Sequence, residues 1–316
     1  MPPAVHFKDP KSGGAWLTIG SFDGVHSGHQ KIIQKLVERS QKYNFPAIVL
    51  TFFPHPVKVL HGFKDPFYLT TPAEKDRYIS QLGVTSLLTM QFSKEISQLP
   101  AFDFMQILYK QLHFSFLLIG YDFHLGKDRE GNFDRLSEIG KEMGYCVEAI
   151  DPLKSGEEPV SSSRIRKNLM DGNLEEANRL CKRWYELSGE IIHGDGRGRH
   201  IGIPTANISA WAEKLVPKPG IYATWSKIEG KFFPGVVNIG VRPTFYDQPT
   251  QQTIEVHLFD FDEDIYGKEM RLFFVQRIRD EEKFNSADAL MRQIRDDISK
   301  SREVLENAPA EKNIPA

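Results

Sequence analysis

Cysteine is nearly missing from this chain: 316 residues carry two, Cys146 and Cys181. A disulfide-stapled scaffold is excluded at that length, and a structural zinc site built on thiolates is not expected. No apolar stretch approaches the roughly 20 residues of a membrane span. The opening "MPPAVHFKDPKSGGAWLTIG" also lacks the apolar centre of a secretion signal. A cytoplasmic location, with no membrane partner, is the expectation. A charge excess is missing as well. The 40 basic and 42 acidic residues leave a formal charge of −2, which argues against nucleic acid as a partner. Small phosphorylated ligands need only local positive charge and stay open. There is no internal repeat, and no glycine-rich loop ends in the Gly-Lys-Ser/Thr of a Walker motif.

What the chain does have is two textures. Apolar, β-rich runs at Ala15–Ile19, Ala47–Phe53, Ser86–Phe92, Phe114–Gly120 and Tyr145–Ile150 alternate with helix-like stretches near His29–Tyr43, Pro72–Leu82, Phe102–Leu112 and Phe133–Met143. In the first of these, Ile32, Ile33, Leu36 and Val37 recur at helical spacing. Strands alternating with helices predict an α/β fold with a doubly wound parallel sheet and a ligand crevice beyond the carboxyl ends of its strands. Two helices are read in Ser161–Leu180, broken at Asp171-Gly172-Asn173. From about Arg183 short β runs separated by turns predict an antiparallel barrel, followed by a helix from about Ser286 with Leu290, Ile294 and Ile298 four apart. The expected domains are 1–182 and 183–305, with a disordered tail at 306–316.

Two stretches carry chemistry. In "GSFDGVHSGHQK", a strand hands over to a helix through Gly20, Gly24 and Gly28, with His26 and His29 flanking Ser27-Gly28. A helix start offers unpaired amides and a positive dipole end, which suit phosphate. Gly28 lets a phosphate approach the backbone, and the imidazoles can donate to its oxygens as charge moves onto a leaving pyrophosphate. Zinc ligation and ordinary surface histidines are the competing readings; zinc lacks an obvious third ligand. In "HGDGRGRHIGIPTANI", Gly194, Gly196, Gly198 and Gly202 make an adaptable loop, with Arg197 and Arg199 as added charge. If Pro204–Asn207 is extended, Thr205 and Asn207 point to one side and offer oxygen atoms to Mg²⁺. In "TIEVHLFDF", Ile254, Val256 and Leu258 share one face and Glu255, His257 and Phe259 the other. Asp260, Asp262, Glu263 and Asp264 read as an acidic turn rather than a metal cage.

"GSFDGVHSGHQ" resembles the His-x-Gly-His signature of the adenylyl- and cytidylyltransferase superfamily. With "TFFPHPVKVL", "LTTPAEK", "IGYDFHLGKDREGNF" and "SSSRIRKNLMDGN" it is similar to the first half of bacterial bifunctional riboflavin kinase/FAD synthetases. "GIPTAN", "PGVVNIGVRPTF" and the stretch Ile254–Phe284 are similar to the riboflavin kinase half of the same family. The resemblance implies a six-stranded barrel with a C-terminal helix for the second domain. It also implies two ATP-dependent steps, riboflavin to FMN there and FMN to FAD in the first domain, with Mg²⁺ in both.

By the same resemblance, Gly20, Ser21, Phe22, Asp23, Gly24, Gly28, Asp122, Ser163 and Arg164 lie at the first domain's nucleotide, where His26 and His29 are catalytic. Pro54 and His55 lie at its flavin. Gly194, Gly198, Gly202, Thr205 and Asn207 hold the kinase's nucleotide, Thr205 and Asn207 its magnesium, and Glu255 is the catalytic base. The chain departs from the family at Phe53, where an acidic residue is common, at His124-Leu125 in place of Arg-Phe, and at Ser163 in place of threonine. A kinase with an impaired first domain, and a flavin carrier without turnover, are the alternatives.

Overall fold

The computed structural model describes residues 14–63, 65–194, 202–241 and 252–310. The chain divides into two compact units, Met1–Asp65 with Thr70–Ser162, and Pro66–Leu69 with Ser163–Ala316.

In the first unit β1 (Trp16–Ile19), β2 (Ala47–Phe53), β3 (Ser86–Gln91), β4 (Phe116–Gly120) and β5 (Cys146–Ile150) form a parallel sheet in the order β3-β2-β1-β4-β5. The connections carry α1 (Ser27–Tyr43), α2 (Pro56–His61), α3 (Pro72–Ser80), α4 (Lys94–Ser97), α5 (Ala101–Leu112) and α6 (Phe133–Met143). The alternation of β1 explains why both faces are covered. Ala15, Leu17 and Ile19 join a core with Met105 and Leu108 of α5 and Leu136 and Ile139 of α6. Trp16 joins the opposite core, with Ile33 and Leu36 of α1 and Tyr78 and Ile79 of α3. Strand order reverses between β1 and β4, so the switch point of this doubly wound sheet lies at the turn after Ile19. A short ribbon, β6 (Lys154–Ser155) with β7 (Glu158–Pro159), precedes α7 (Ser162–Asp171).

In the second unit β8 (Tyr185–Ile192), β9 (Ala206–Ala210), β10 (Gly220–Ile228), β11 (Lys231–Val241), β12 (Gln252–Leu258) and β13 (Glu269–Arg279) close a barrel in the order β10-β11-β12-β9-β8-β13. The last helix, α9 (Ala287–Glu306), is capped by Ser286 and sends Ile298 and Leu305 into a core with Ile221 and Val236. Helix α8 (Leu174–Cys181) meets the barrel strands: Asn178 Nδ2 donates to the Phe274 carbonyl at 2.9 Å, and the Tyr185 amide donates to Asn178 Oδ1 at 2.7 Å. The compact division accordingly falls at 162/163, upstream of the expected 182/183. The expected tail is packed up to its described end. The Ala308 carbonyl accepts from Trp225 Nε1 at 2.7 Å, and Ala310 is buried beside Phe273. Residues 311–316 lie outside the described range.

Candidate functional site

The first unit's candidate site is the turn between β1 and α1. Its path is unusual: Phe22 and Val25 adopt left-handed backbone angles, φ +46° and +35°, that side chains other than glycine rarely take. Such strain costs on the order of 1–3 kcal/mol per residue. It is held by burial of both side chains in the α1/α3 core. Asp23 is buried too. Its Oδ1 accepts from the Thr70 amide at 3.1 Å and from Thr70 Oγ1 at 3.2 Å, while Thr70 Oγ1 accepts from the Gly24 amide at 3.1 Å. Ser162 Oγ donates to the Asp23 carbonyl at 2.8 Å. Asp23 thus shapes the turn through its carboxylate and its backbone.

The two imidazoles meet. His26 is the N-cap of α1, its Nδ1 accepting from the His29 amide at 3.3 Å. The two rings stack with centroids 3.6 Å apart and 19° between planes. An accepting Nδ1 leaves the proton of a neutral His26 ring on Nε2, a donor for an anion. Because His26 caps the helix, α1 starts at Ser27 rather than near His29. The space over Gly28 belongs to this ring: a Cβ there would stand 3.1 Å from His26 Cε1. The missing side chain of Gly28 therefore makes room for an imidazole at the helix start. Gly20 continues the ladder, its amide donating to the Leu50 carbonyl at 3.0 Å, and Ser21 follows at the head of the turn.

Beside the turn, Pro54 and His55 follow β2. They lead into α2, which begins with Pro56 in its first turn and is capped by His55, whose Nδ1 accepts from the Val57 amide at 3.1 Å. Asp122 follows β4 and is exposed. A Cβ on Gly120 would lie 3.3 Å from Asp122 Oδ1 and 3.5 Å from Ile32 of α1, so this turn runs along α1. His124 Nδ1 lies 2.9 Å from the Asp122 carbonyl and 3.4 Å from Arg129 Nη2. Ser163 and Arg164 fall in the second compact unit, where Arg164 pairs with Glu176 at 2.8 Å.

The second unit's candidate site is a cavity of about 270 Å³ in the barrel. Thr205, Glu255, His257 and Asn238 line it, over an apolar floor that includes Ile221, Val236 and Ile294. The alternation of β12 holds: Ile254, Val256 and Leu258 are buried while Glu255 and His257 face the cavity. Glu255 stands opposite Asn207 on β9 and opposite Asn238 on β11, so three polar residues form one row across three strands. His257 Nδ1 lies 2.8 Å from the Pro204 carbonyl and ties the Pro-Thr turn to β12. At the far end Arg279 grips buried Asp297 with both arms, at 2.9 and 2.7 Å, and Gln293 Nε2 donates to the same carboxylate at 3.0 Å.

Gly194 is set against Asn207, where a Cβ would come within 2.0 Å of Nδ2. Gly202 has φ +74° and open space around it. Gly198, with Gly196, Arg197 and Arg199, lies outside the described residues. The acidic turn is engaged elsewhere, Asp260 pairing with Arg302 at 2.8 Å.

Sequence reasoning missed Asn238. Its Oδ1 is buried and has no hydrogen-bond partner among the described residues, although buried carbonyls are rarely left unpaired. The available signal was the pattern of β11, where one amide interrupts "GVVNIGV".

A family model for FAD synthetase matches residues 8–164, and one for riboflavin kinase matches residues 181–305. The bifunctional riboflavin kinase/FMN adenylyltransferase of Escherichia coli (strain K12) is 39% identical over 292 residues, covering 92% of this chain and 92% of its own. The protein of the same description from Bacillus subtilis (strain 168) is 38% identical over 283 residues, covering 89% of each chain. A crystal structure described as a macrolide-efflux protein from Streptococcus pneumoniae superposes with a TM-score of 0.86 at 29% identity, covering 94% of this chain and 95% of that one. Among the described residues of this chain, no helix is long and apolar enough to cross a membrane.

Proposed function

Because this chain belongs to the bifunctional riboflavin kinase/FMN adenylyltransferase family, we propose that its two domains carry the two steps at separate sites. The activity itself is the phosphorylation of riboflavin to FMN and the adenylylation of FMN to FAD, with ATP as co-substrate of both. The presence of both Thr205 and Glu255 in the lining of one barrel cavity is the observation that carries the division of labour.

In the barrel, the 5′-hydroxyl of riboflavin attacks the γ-phosphorus of ATP. Glu255 takes the hydroxyl proton, the bond to the β-phosphate oxygen breaks, and FMN and ADP leave. The apolar floor suits the isoalloxazine ring, and Asn238 Oδ1 accepts from a ribityl hydroxyl. Thr205 and Asn207 would hold Mg²⁺. One hydroxyl and one amide oxygen suit a hard ion that keeps most of its waters, and the ion would neutralise phosphate charge.

In the first domain, a phosphate oxygen of FMN attacks the α-phosphorus of ATP and pyrophosphate leaves. That oxygen is already ionised at neutral pH, so the step needs positioning and charge stabilisation rather than a base. His26 and His29 donate to the phosphates, Asp122 lies near the nucleotide, and Pro54 and His55 lie near the flavin. The enzyme works in the cytoplasm.

Two substitutions probe the barrel site. Asn238→Ala is expected to raise the KM for riboflavin about fivefold, the worth of one hydrogen bond of about 1 kcal/mol. An unchanged KM would remove Asn238 from the flavin contacts. Gly194→Ala is expected to push Asn207 aside and lower riboflavin phosphorylation about tenfold or more, sparing FAD formation from FMN. Wild-type kinase rates in that variant would show that Asn207 tolerates displacement. Time courses with riboflavin, ATP and Mg²⁺ test the whole reading: FMN should rise first and FAD follow. Accumulation of neither sinks it.

A further inference from the structure

We propose that Lys75 is a positioning residue for FAD formation: its buried ammonium clamps the imidazole-bearing turn to the end of β2, which leads into Pro54 and His55. The inference rests on the reading that those two segments hold ATP and FMN. Lys75 lies in the second turn of α3, whose start is rigid. Thr71 Oγ1 accepts from the Glu74 amide at 3.1 Å, and Glu74 Oε2 accepts from the Thr71 amide at 3.0 Å. The side chain is 7% exposed.

An ammonium has three protons to donate, and three acceptors surround this one. Nζ donates to Thr51 Oγ1 at 3.0 Å, to the Phe52 carbonyl at 3.2 Å and to the Ser21 carbonyl at 3.4 Å. Thr51 Oγ1 itself donates to the Ser21 carbonyl at 3.0 Å and closes the ring of contacts. Ser21 heads the turn that ends in His26 and His29, and Phe52 immediately precedes Phe53, Pro54 and His55.

A lysine is an expensive choice for a bolt. Burial disfavours its charged form and pushes its pKa down, with the Asp23 and Asp76 carboxylates offsetting part of the effect. A neutral side chain could fill the same volume, but could not serve two carbonyls and a hydroxyl at once. The reaction supplies the reason for the arrangement. The attacking oxygen of FMN must stand about 3–3.5 Å from phosphorus, and a misplacement of about 1 Å costs about 10²-fold in rate. A clamp between the two substrate-bearing segments governs that distance without touching either substrate.

The test compares Lys75→Met, Thr51→Val and His29→Ala in the full chain, each assayed for FAD formation from FMN and for riboflavin phosphorylation. Lys75→Met keeps the stem and removes the donors. We expect its kcat for FAD formation to fall about 10²-fold, with the KM for ATP within about threefold of wild type and the kinase unaltered. Thr51→Val, nearly isosteric, is expected to lower the same kcat about tenfold, and it decides the matter if Lys75→Met does not fold. A kcat within about threefold of wild type in the folded variant, a loss confined to KM, or a parallel loss of kinase activity would overturn the proposal. His29→Ala separates the failures. If it retains full FAD formation, the reading of the turn is wrong. If it loses activity while Lys75→Met does not, only the clamp is wrong.

Discussion

Glu255→Gln is expected to lower riboflavin phosphorylation by roughly two to four orders of magnitude, the usual worth of a lost general base, and to leave FAD formation from FMN unchanged. The substitution is close to neutral in shape. Glutamine can occupy the same place between Asn207 and Asn238 in the three-strand row, and Ile254 and Val256 still pack in the barrel core on either side. What it lacks is a carboxylate that can take the proton of an alcohol. An isolated hydroxyl is a poor nucleophile, so the kinase step needs that acceptor, while the already ionised phosphate of FMN does not. Timed assays of each step with its own substrate check the prediction. Equal loss of both activities would mean that the two steps share a site.

The converse effect is expected of His29→Ala. FAD formation should fall about 10²–10³-fold, as when one pre-aimed donor is removed from a developing charge, while the kinase keeps its rate. His29 is a cleaner probe than His26. The bond that caps α1 runs from the His29 backbone amide to the His26 ring, so alanine at 29 preserves it. Alanine at 26 would lose the cap, worth about 1 kcal/mol, together with any catalytic contact. The stacked partner ring and the edge contact with Phe22 are lost with His29, so its effect includes the alignment of His26. Assays with FMN as the supplied flavin read this directly. An unchanged FAD rate would remove His29 from the chemistry.

Much of this architecture is legible in the residues. Leu17 and Ile19 alternate with Trp16 and Thr18, and the doubly wound sheet uses that alternation to cover both faces. The alternation at Ile254–Leu258 likewise placed Glu255 and His257 on the cavity side. Short elements escaped because few residues carry their signal. The Ala206–Ala210 strand becomes visible only when its partners at Glu255–Val256 and Gly189–Ile192 are known. The helix at Pro56–His61 has no buried residue, so no apolar periodicity announces it and a cap from His55 starts it.

Polar residues with unusual surroundings were the hardest to see. Lysine in a short amphipathic helix suggests a solvated charge, yet Lys75 is buried, since its acceptors arrive from Ser21, Thr51 and Phe52, distant in sequence. Asn238 gave no sign of being an unpaired carbonyl, because pairing is a tertiary property. The end of the chain has the composition of a tail, yet Ala310 is small enough to pack beside Phe273 and Trp225.

The turn bearing His26 and His29 is expected to form FAD even though Phe53 and His124-Leu125 depart from the family pattern. Supplying the purified chain with FMN, ATP and Mg²⁺ while withholding riboflavin tests it most directly. FAD and pyrophosphate should appear in equal amounts. Absence of both from protein that still phosphorylates riboflavin would contradict the account.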